Sequence, residues 1–296
     1  MNEMNKPTQT ESSTKTIRHI MNISGGKDSS ALAIYMRDRD YWREQLGKQI
    51  DKPAEKIEFE YVFCDTRQEL QETYEYLDKL EAYLGKKIVR LFGDRGFEHW
   101  LTTREGFLPS PQIRWCTQEL KIKPFEEYVG DDLVHSYIGI RADEDRTGYL
   151  SFKKSITGIF PFREDGIDRD DVFRILELSG AGVPEYYGWR TRSGCYFCFF
   201  QRKSEWIGLL ENHPDLYEKA KRFEGESSKT GRKFTWSQGE SLEDISQPQR
   251  VAEIKANHEK ALQREKRARP NRPLIEIFSE VLDDEDDSQA CTICQI

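Results

Sequence analysis

Ser24-Gly25-Gly26-Lys27-Asp28-Ser29 decides the reading of this chain. The apolar run His19-Ile20-Met21-Asn22-Ile23 precedes it, and Ala31-Leu32-Ala33-Ile34-Tyr35 follows. That is the pattern of a strand, a glycine turn and the first turns of a helix. Two glycines let backbone N–H groups approach an anion with no Cβ in the way. A helix starting at Asp28 adds free amides and the positive end of its dipole. Ser24, Ser29 and Lys27 supply side-chain donors, so the whole reads as an anion cradle suited to pyrophosphate. It is not a Walker loop, because the G-x-x-x-x-G-K-[ST] spacing is absent. The plainer alternative is an ordinary Gly-rich junction between a strand and a helix.

Outward from this loop, apolar strands alternate with amphipathic stretches. Strands are predicted at 19–24, 60–64, 87–91 and 136–140, and helices at 29–45, 68–84 and 123–129. Leu70, Tyr74, Leu77, Leu80 and Leu84 recur at helical spacing. This alternation predicts an α/β fold, a mostly parallel sheet flanked by helices, over residues 17–150. Ligands of such sheets sit beyond the carboxyl ends of strands. Ser24 and Asp65-Thr66 fall at such ends and are expected to face one crevice. Beyond 150 the pattern changes: an extended stretch at 155–162, a helix at 168–179, a helix at 205–223 broken at His213-Pro214, a loop at 225–239 and a charged helix at 248–268. These form a helical, cysteine-bearing C-terminal region (151–275). Residues 1–16 read as a disordered arm and 276–296 as an acidic tail.

Charged residues make up 33% of the 296 residues against 36% hydrophobic, and no apolar run is long enough to span a bilayer. The N-terminus lacks a signal-peptide apolar region, so a cytoplasmic location without membrane contact is expected. The net charge of −8 argues against a uniformly basic nucleic-acid binder but leaves a local basic face open. Arg250, Lys255, Lys260, Arg264, Lys266, Arg267, Arg269 and Arg272 crowd the last helix and its exit. They can track a phosphate backbone. Glu253, Glu259 and Glu265 interleave with them, which equally suits a solvated, salt-bridged helix.

Six cysteines in a cytosolic chain point away from a disulfide framework and toward metal, cluster or catalytic roles. Cys195-Tyr196-Phe197-Cys198 is a C-x-x-C knuckle, a compact turn that places two thiolates on one ion or cluster. Cys116 is a third candidate, and Arg114, Lys121 and Lys123 around it favour its thiolate. Ligand type alone leaves an iron–sulfur cluster, zinc or no metal open. Cys64, inside a predicted strand, reads as a small buried hydrophobe. Cys291 and Cys294 form a second C-x-x-C, which could complete a four-cysteine site, relay persulfide sulfur or stand as a mobile thiol pair.

Five motifs occur in order. They are the S-G-G-K-D-S loop, Asp65-Thr66, Arg114-Trp115-Cys116-Thr117 with Leu120-Lys121, Gly139-Ile140-Arg141-Ala142-Asp143-Glu144 with Arg146, and Gly194-Cys195 through Cys198 with Gln201-Arg202-Lys203-Ser204-Glu205-Trp206. Over residues 17–210 this ordered set resembles the PAPS-reductase-like branch of the PP-loop ATP pyrophosphatase superfamily. Within it, the chain is most similar to the DndC/SspD proteins of DNA phosphorothioation. The resemblance implies ATP and Mg²⁺ as cofactors, the ion held largely by phosphates and water. Gly25, Gly26 and Lys27 are then expected to hold the pyrophosphate, with Ser24 and Ser29 adding donors. Asp28 would be a helix-start acid or an indirect metal ligand. Asp65 and Thr66 would contact adenosine or order the loop, with a turn cap as the plainer role. Arg141 and Arg146 would contact the nucleotide or an acceptor phosphate, unless they form a surface salt-bridge cluster. Trp115, Trp189 and Trp206 would pack around the cysteine site.

The resemblance further implies a [4Fe–4S] cluster on Cys116, Cys195 and Cys198, zinc being the alternative. DNA would be the acceptor, with a cysteine desulfurase as sulfur donor and other phosphorothioation-system proteins as partners. The activity implied is adenylation of a backbone phosphate for sulfur insertion, as in bacterial defence. PAPS and APS reductases are the second family reading. The chain departs from them in ending Cys291-Thr-Ile-Cys294-Gln-Ile and in carrying Trp115 before a single Cys116. A non-catalytic iron–sulfur or zinc scaffold is the third.

Overall fold

A computed structural model describes residues 16–145, 151, 153–226, 233–237 and 239–267. Its central strand β1 (Arg18–Asn22) leads into the glycine turn and α1 (Lys27–Arg37). The chain then runs through α2 (Arg39–Gln45), β2 (Glu60–Cys64), α3 (Gln71–Leu84), β3 (Ile88–Leu91) and α4 (Phe97–Thr103). A single turn, α5 (Trp115–Thr117), passes through a π-helical stretch (Gln118–Ile122) into α6 (Lys123–Val129). β4 (Val134–Tyr137) and β5 (Ile156–Ile159) complete the sheet.

All four strand pairings are parallel, in the order β3-β2-β1-β4-β5. The strands alternate as pleat geometry requires. Tyr61 and Phe63 of β2 enter one core with α1 and α3, while Val62 and Cys64 enter the other with Phe125 and Val129 of α6. The sheet is thus covered on both faces, as a parallel sheet must be. Helix α1 is buried along almost its whole length, Asp28 to Met36, packed between the sheet and α8 (Arg169–Leu178).

Most elements fall where the periodicity places them. The helix predicted at 29–45 breaks in two because Asp38 leaves helical geometry and caps α2, its carboxylate accepting from the Tyr41 amide. Helix α4 and the π-helical turn have no counterpart among the predicted elements. The extended stretch at 155–162 is β5 followed by the single turn α7 (Pro161–Glu164). Both β5 and α8 lie beyond residue 150, so the sheet and its helical cover extend past the boundary read from composition.

The C-terminal region comprises α9 (Lys203–Asn212), α10 (Pro214–Lys221), a small hairpin β6 (Gly225–Glu226) and β7 (Lys233–Phe234), α11 (Leu242–Ile245) and α12 (Pro248–Arg267). The hairpin lies inside the stretch expected to be loop. An aromatic core holds this region together: Trp206, Tyr217 and Trp236 join Phe97 of α4 and Trp115 of α5. The segment between β3 and α6 therefore docks on the C-terminal helices. That docking, not sequence proximity, carries Cys116 toward the C-x-x-C knuckle. The N-terminal arm (1–15), Arg146, Cys291, Cys294, the acidic tail and the basic residues Arg269 and Arg272 lie outside the described residues.

Candidate functional site at the glycine turn

The strand order places β2 and β3 on one side of β1 and β4 on the other. The topological switch point, where an open α/β sheet leaves room for a ligand, is therefore the carboxyl end of β1 and β4. Ser24 to Ser29 and Gly139 to Arg141 meet there. Gly139 permits that approach: a Cβ on it would stand 2.9 Å from the Asp28 carbonyl oxygen. Gly25 takes a left-handed backbone (φ 71°), and a Cβ on it would strike Thr73 Cγ2 at 2.6 Å. Both glycines are dictated by geometry as well as by any anion.

Lys27, Asp28 and Arg141 converge at the turn. Asp28 receives Lys27 Nζ on one carboxylate oxygen and Arg141 Nη1 on the other, each at 2.8 Å. Arg141 also pairs with Asp143 (2.9 Å) and Glu144 (2.8 Å). All three side chains of the Lys27–Asp28–Arg141 bridge are only 11–13% exposed. The bridge ties the glycine turn to the loop after β4. Both oxygens of Asp28 are engaged by cations, so it is arranged as a brace for Lys27 and Arg141 rather than as a ready metal ligand.

The turn itself is internally bonded and capped. The Ser29 hydroxyl lies 3.0 Å from Ser24 Oγ, accepts from the Ser24 amide and can donate to the Gly26 carbonyl (3.2 Å). A neighbour not legible from motif spacing covers it: the 3₁₀ turn Glu185–Gly188 and the strand of chain after it. Tyr187 Oη accepts from the Lys27 amide at 3.0 Å, and Tyr186 Oη donates to the Gly25 carbonyl at 2.9 Å. Ser193 Oγ donates to Ser24 Oγ at 3.2 Å. A Cβ on Gly26 would stand 2.6 Å from Ser193 Oγ, so Gly26 is required by this cover. The same segment continues directly into Gly194 and Cys195. One short stretch of chain thus touches the glycine turn and carries the cysteine knuckle.

Asp65 and Thr66 lie at the end of β2, as expected, but their side chains face inward to the fold. Asp65 accepts from the Arg67 amide (2.7 Å) and the Tyr74 hydroxyl (2.8 Å), the turn-capping role. Thr66 Oγ1 stands 2.8 Å from Glu69 Oε1 and 3.1 Å from Cys195 Sγ. Burial pushes the Glu69 carboxyl up, and burial, reinforced by Glu69, pushes the Cys195 thiol well up. Arg190, almost fully buried, donates to the carbonyls of Gly194 and Cys195 at 3.1 and 2.8 Å and fixes the knuckle. Glu69 and Arg190 escaped the sequence reading because nothing in their spacing marks them; only the fold brings them to Cys195.

Cys116 and Cys195 both border the aromatic core, and Cys198 is buried beside it. Among the described residues, however, no group of three or more His, Cys, Asp or Glu side chains is gathered closely enough to hold a metal ion. Cys195 Sγ instead lies 3.1 Å from Thr66 Oγ1. Cys64 is the buried hydrophobe expected, its thiol pushed up to about 12 by burial. Trp115 and Trp206 are buried in the aromatic core, and Trp189 packs beside it against Gly208.

Two basic residues of α12 are spent on ion pairs. Arg250 forms a two-pronged pair with Glu240 (2.6 and 3.0 Å) and reaches Glu253, and Lys255 pairs with Glu211. The salt-bridged alternative holds for this part of the helix. No helix among the described residues is long and apolar enough to cross a membrane.

Residues 18–160 match the family model of the phosphoadenosine phosphosulfate reductase domain. Among curated proteins, the uncharacterized protein MJ0066 of Methanocaldococcus jannaschii is 29% identical over 212 residues, covering 67% of this chain and 39% of that protein. The tRNA-specific 2-thiouridylase MnmA of Haemophilus influenzae is 29% identical over 172 residues, covering 57% of this chain and 42% of that protein. The chain thus matches about two fifths of the length of these relatives. Among solved structures, the phosphoadenylyl-sulfate reductase of Candida auris aligns with a TM-score of 0.43 at 13% identity, over 61% of this chain and 82% of that one.

Proposed function

We propose that the chain, whose residues 18–160 match the family model of the phosphoadenosine phosphosulfate reductase domain, is an ATP pyrophosphatase that activates an acceptor oxygen for replacement by sulfur. The observation that carries this reading is the S-G-G-K-D-S turn at the switch point of the sheet, with Lys27 and Arg141 braced on Asp28. Two cations held beside amides at a helix start suit the charge that develops on a leaving pyrophosphate. We take the acceptor to be a nucleic-acid backbone phosphate, DNA in the first instance, with a cysteine desulfurase and other phosphorothioation-system proteins as partners.

A non-bridging oxygen of the acceptor attacks the α-phosphorus of ATP, and pyrophosphate leaves. Hydrosulfide-level sulfur then attacks the activated phosphorus, AMP leaves, and a phosphorothioate remains. Lys27 and Arg141 neutralise the phosphates in the first step. Mg²⁺ would enter with the nucleotide. The Tyr187 hydroxyl must yield the Lys27 amide before that amide can face a phosphate. No step is routed through a cluster, because among the described residues Cys116, Cys195 and Cys198 are not gathered as one ligand set.

The thiouridylase relatives favour a second reading, in which the activated oxygen belongs to a base of tRNA. Incubation with ATP, sulfide and each acceptor separates the readings. AMP and pyrophosphate formed with DNA, together with acid-stable sulfur on the backbone, support the first. Sulfur on a tRNA base supports the second. Sulfite from phosphoadenosine phosphosulfate, with ATP untouched, contradicts both.

A further inference from the structure

A groove of about 770 Å³ opens beside the glycine turn. It runs from Lys27 and Arg141 along α8 and the 183–191 segment to the start of α9 and the face of α12. Ser24, Gly25, Gly26, Asp65 and Thr66 do not line it. A nucleotide seated on the amides of the turn would leave most of the groove free, while Lys27 and Arg141 border both.

The lining combines two kinds of group. Phe173, Val183 and Leu262 are apolar and 37–43% exposed, and Trp189 lies among them. Arg169 and Arg202 are interleaved with them, and the Arg169 guanidinium stands 5.8 Å from the centre of the Phe173 ring. Arg190 lines the groove as well, almost fully buried, with both terminal nitrogens spent on the Gly194 and Cys195 carbonyls. Of the two carboxylates in the groove, Glu205 is spent on the Thr191 amide and hydroxyl and on the Arg202 amide, leaving Glu185.

Cations interleaved with exposed apolar and aromatic faces suit an unpaired polynucleotide, whose bases can stack while its phosphates meet arginines. A duplex offers its phosphates but hides its base faces. We propose that this groove binds the acceptor as a single strand, delivering one of its phosphates to Lys27 and Arg141. The proposal rests on the ATP-dependent reading above and adds the form of the acceptor and its path. It also moves the nucleic-acid contact from the ion-paired arginine and lysine side chains of α12 to the helix face that carries His258 and Leu262.

The test is fluorescence anisotropy of a labelled ten-nucleotide single strand, DNA and RNA in separate arms, on the full chain without ATP. Arg169→Glu/His258→Glu should weaken binding by about tenfold or more and flatten its salt dependence. Lys87→Glu, on the β3 edge, should leave both unchanged, and melting curves confirm that each variant is folded. Binding of either strand supports the proposal, and the tighter one identifies the natural acceptor. An affinity that the double variant does not change overturns it, as does equal binding of the blunt duplex or simple competition by ATP. Pyrophosphate release is measured separately. Release from ATP with groove-insensitive strand binding sinks the groove and leaves the ATP reading standing. Groove-dependent strand binding without any release does the reverse.

Discussion

Gly26→Ala tests the contact on which the site is built. The backbone at Gly26 is extended (φ −97°), so alanine meets no conformational penalty there. The cost is steric. The added Cβ would lie 2.6 Å from Ser193 Oγ and 3.1 Å from Ser193 Cβ, where ordinary contact begins at 3.4 Å. The 186–193 segment must then retreat by roughly 0.8 Å, a strain of about 1–3 kcal/mol for overpacking a closed contact. In a domain of this size that lowers Tm by about 2–10 °C. Ser193→Gly alone removes the bond to Ser24, about 1 kcal/mol. In the double variant the clash with Ser193 disappears and only the 3.2 Å approach to the Tyr187 hydroxyl remains, so the two effects should be non-additive by about 1–2 kcal/mol in the favourable direction. Urea unfolding of the four proteins measures this coupling. ATP-dependent pyrophosphate release should fall in Gly26→Ala and recover in part in the double variant. Strict additivity, or an alanine variant as stable as the parent, would refute the claim that the cysteine-bearing segment rests on the glycine turn.

Asp28→Asn removes the brace for Lys27 and Arg141. Arg141 retains Asp143 and Glu144, so the stability loss should be about 1–3 kcal/mol, below that for stranding a buried charge, while pyrophosphate release drops by about 100-fold or more; loss of stability without loss of activity would make the bridge purely structural. Tyr187→Phe frees the Lys27 amide, and the KM for ATP should fall about threefold to tenfold, the worth of one neutral hydrogen bond. A rise would make the hydroxyl a partner of the phosphate instead of its competitor. Burial raises the Glu69 carboxyl in the folded state. Its contribution to stability is therefore full below the unfolded carboxyl pKa and is lost as pH rises through the folded value. Glu69→Gln should gain stability relative to the parent as pH rises from 4 to 8, measured by urea midpoints; a difference independent of pH contradicts the raised pKa.

The sheet was legible because its strands are short apolar runs bounded by glycine and polar turns, and because Leu77, Leu80 and Leu84 mark α3 at helical spacing. The glycine turn was legible because six adjacent residues carry it. Helix α4 was not: Phe97-Glu98-His99-Trp100-Leu101 is short, and its apolar side chains face a core supplied in large part by residues more than 80 positions away, such as Phe197, Trp206 and Trp236. The same distance hid the site's cover. Tyr186, Tyr187 and Ser193 reach the turn only because the chain after α8 folds back over the carboxyl end of the sheet. Spacing also overstated Asp65, whose carboxylate is consumed by its own turn and Tyr74. For α12 the salt-bridged alternative holds at Arg250 and Lys255, which meet acids from residue 240 and α9. In both cases the sequence names the charge but not its partner.

The most direct test of the central claim is product analysis of α-phosphate-labelled ATP incubated with the chain, Mg²⁺, sulfide and single-stranded DNA. The account predicts labelled AMP and pyrophosphate in equal amounts, dependent on the strand and reduced by about 100-fold or more in Lys27→Ala. Labelled ADP with inorganic phosphate, or intact ATP beside sulfite formed from phosphoadenosine phosphosulfate, would contradict it.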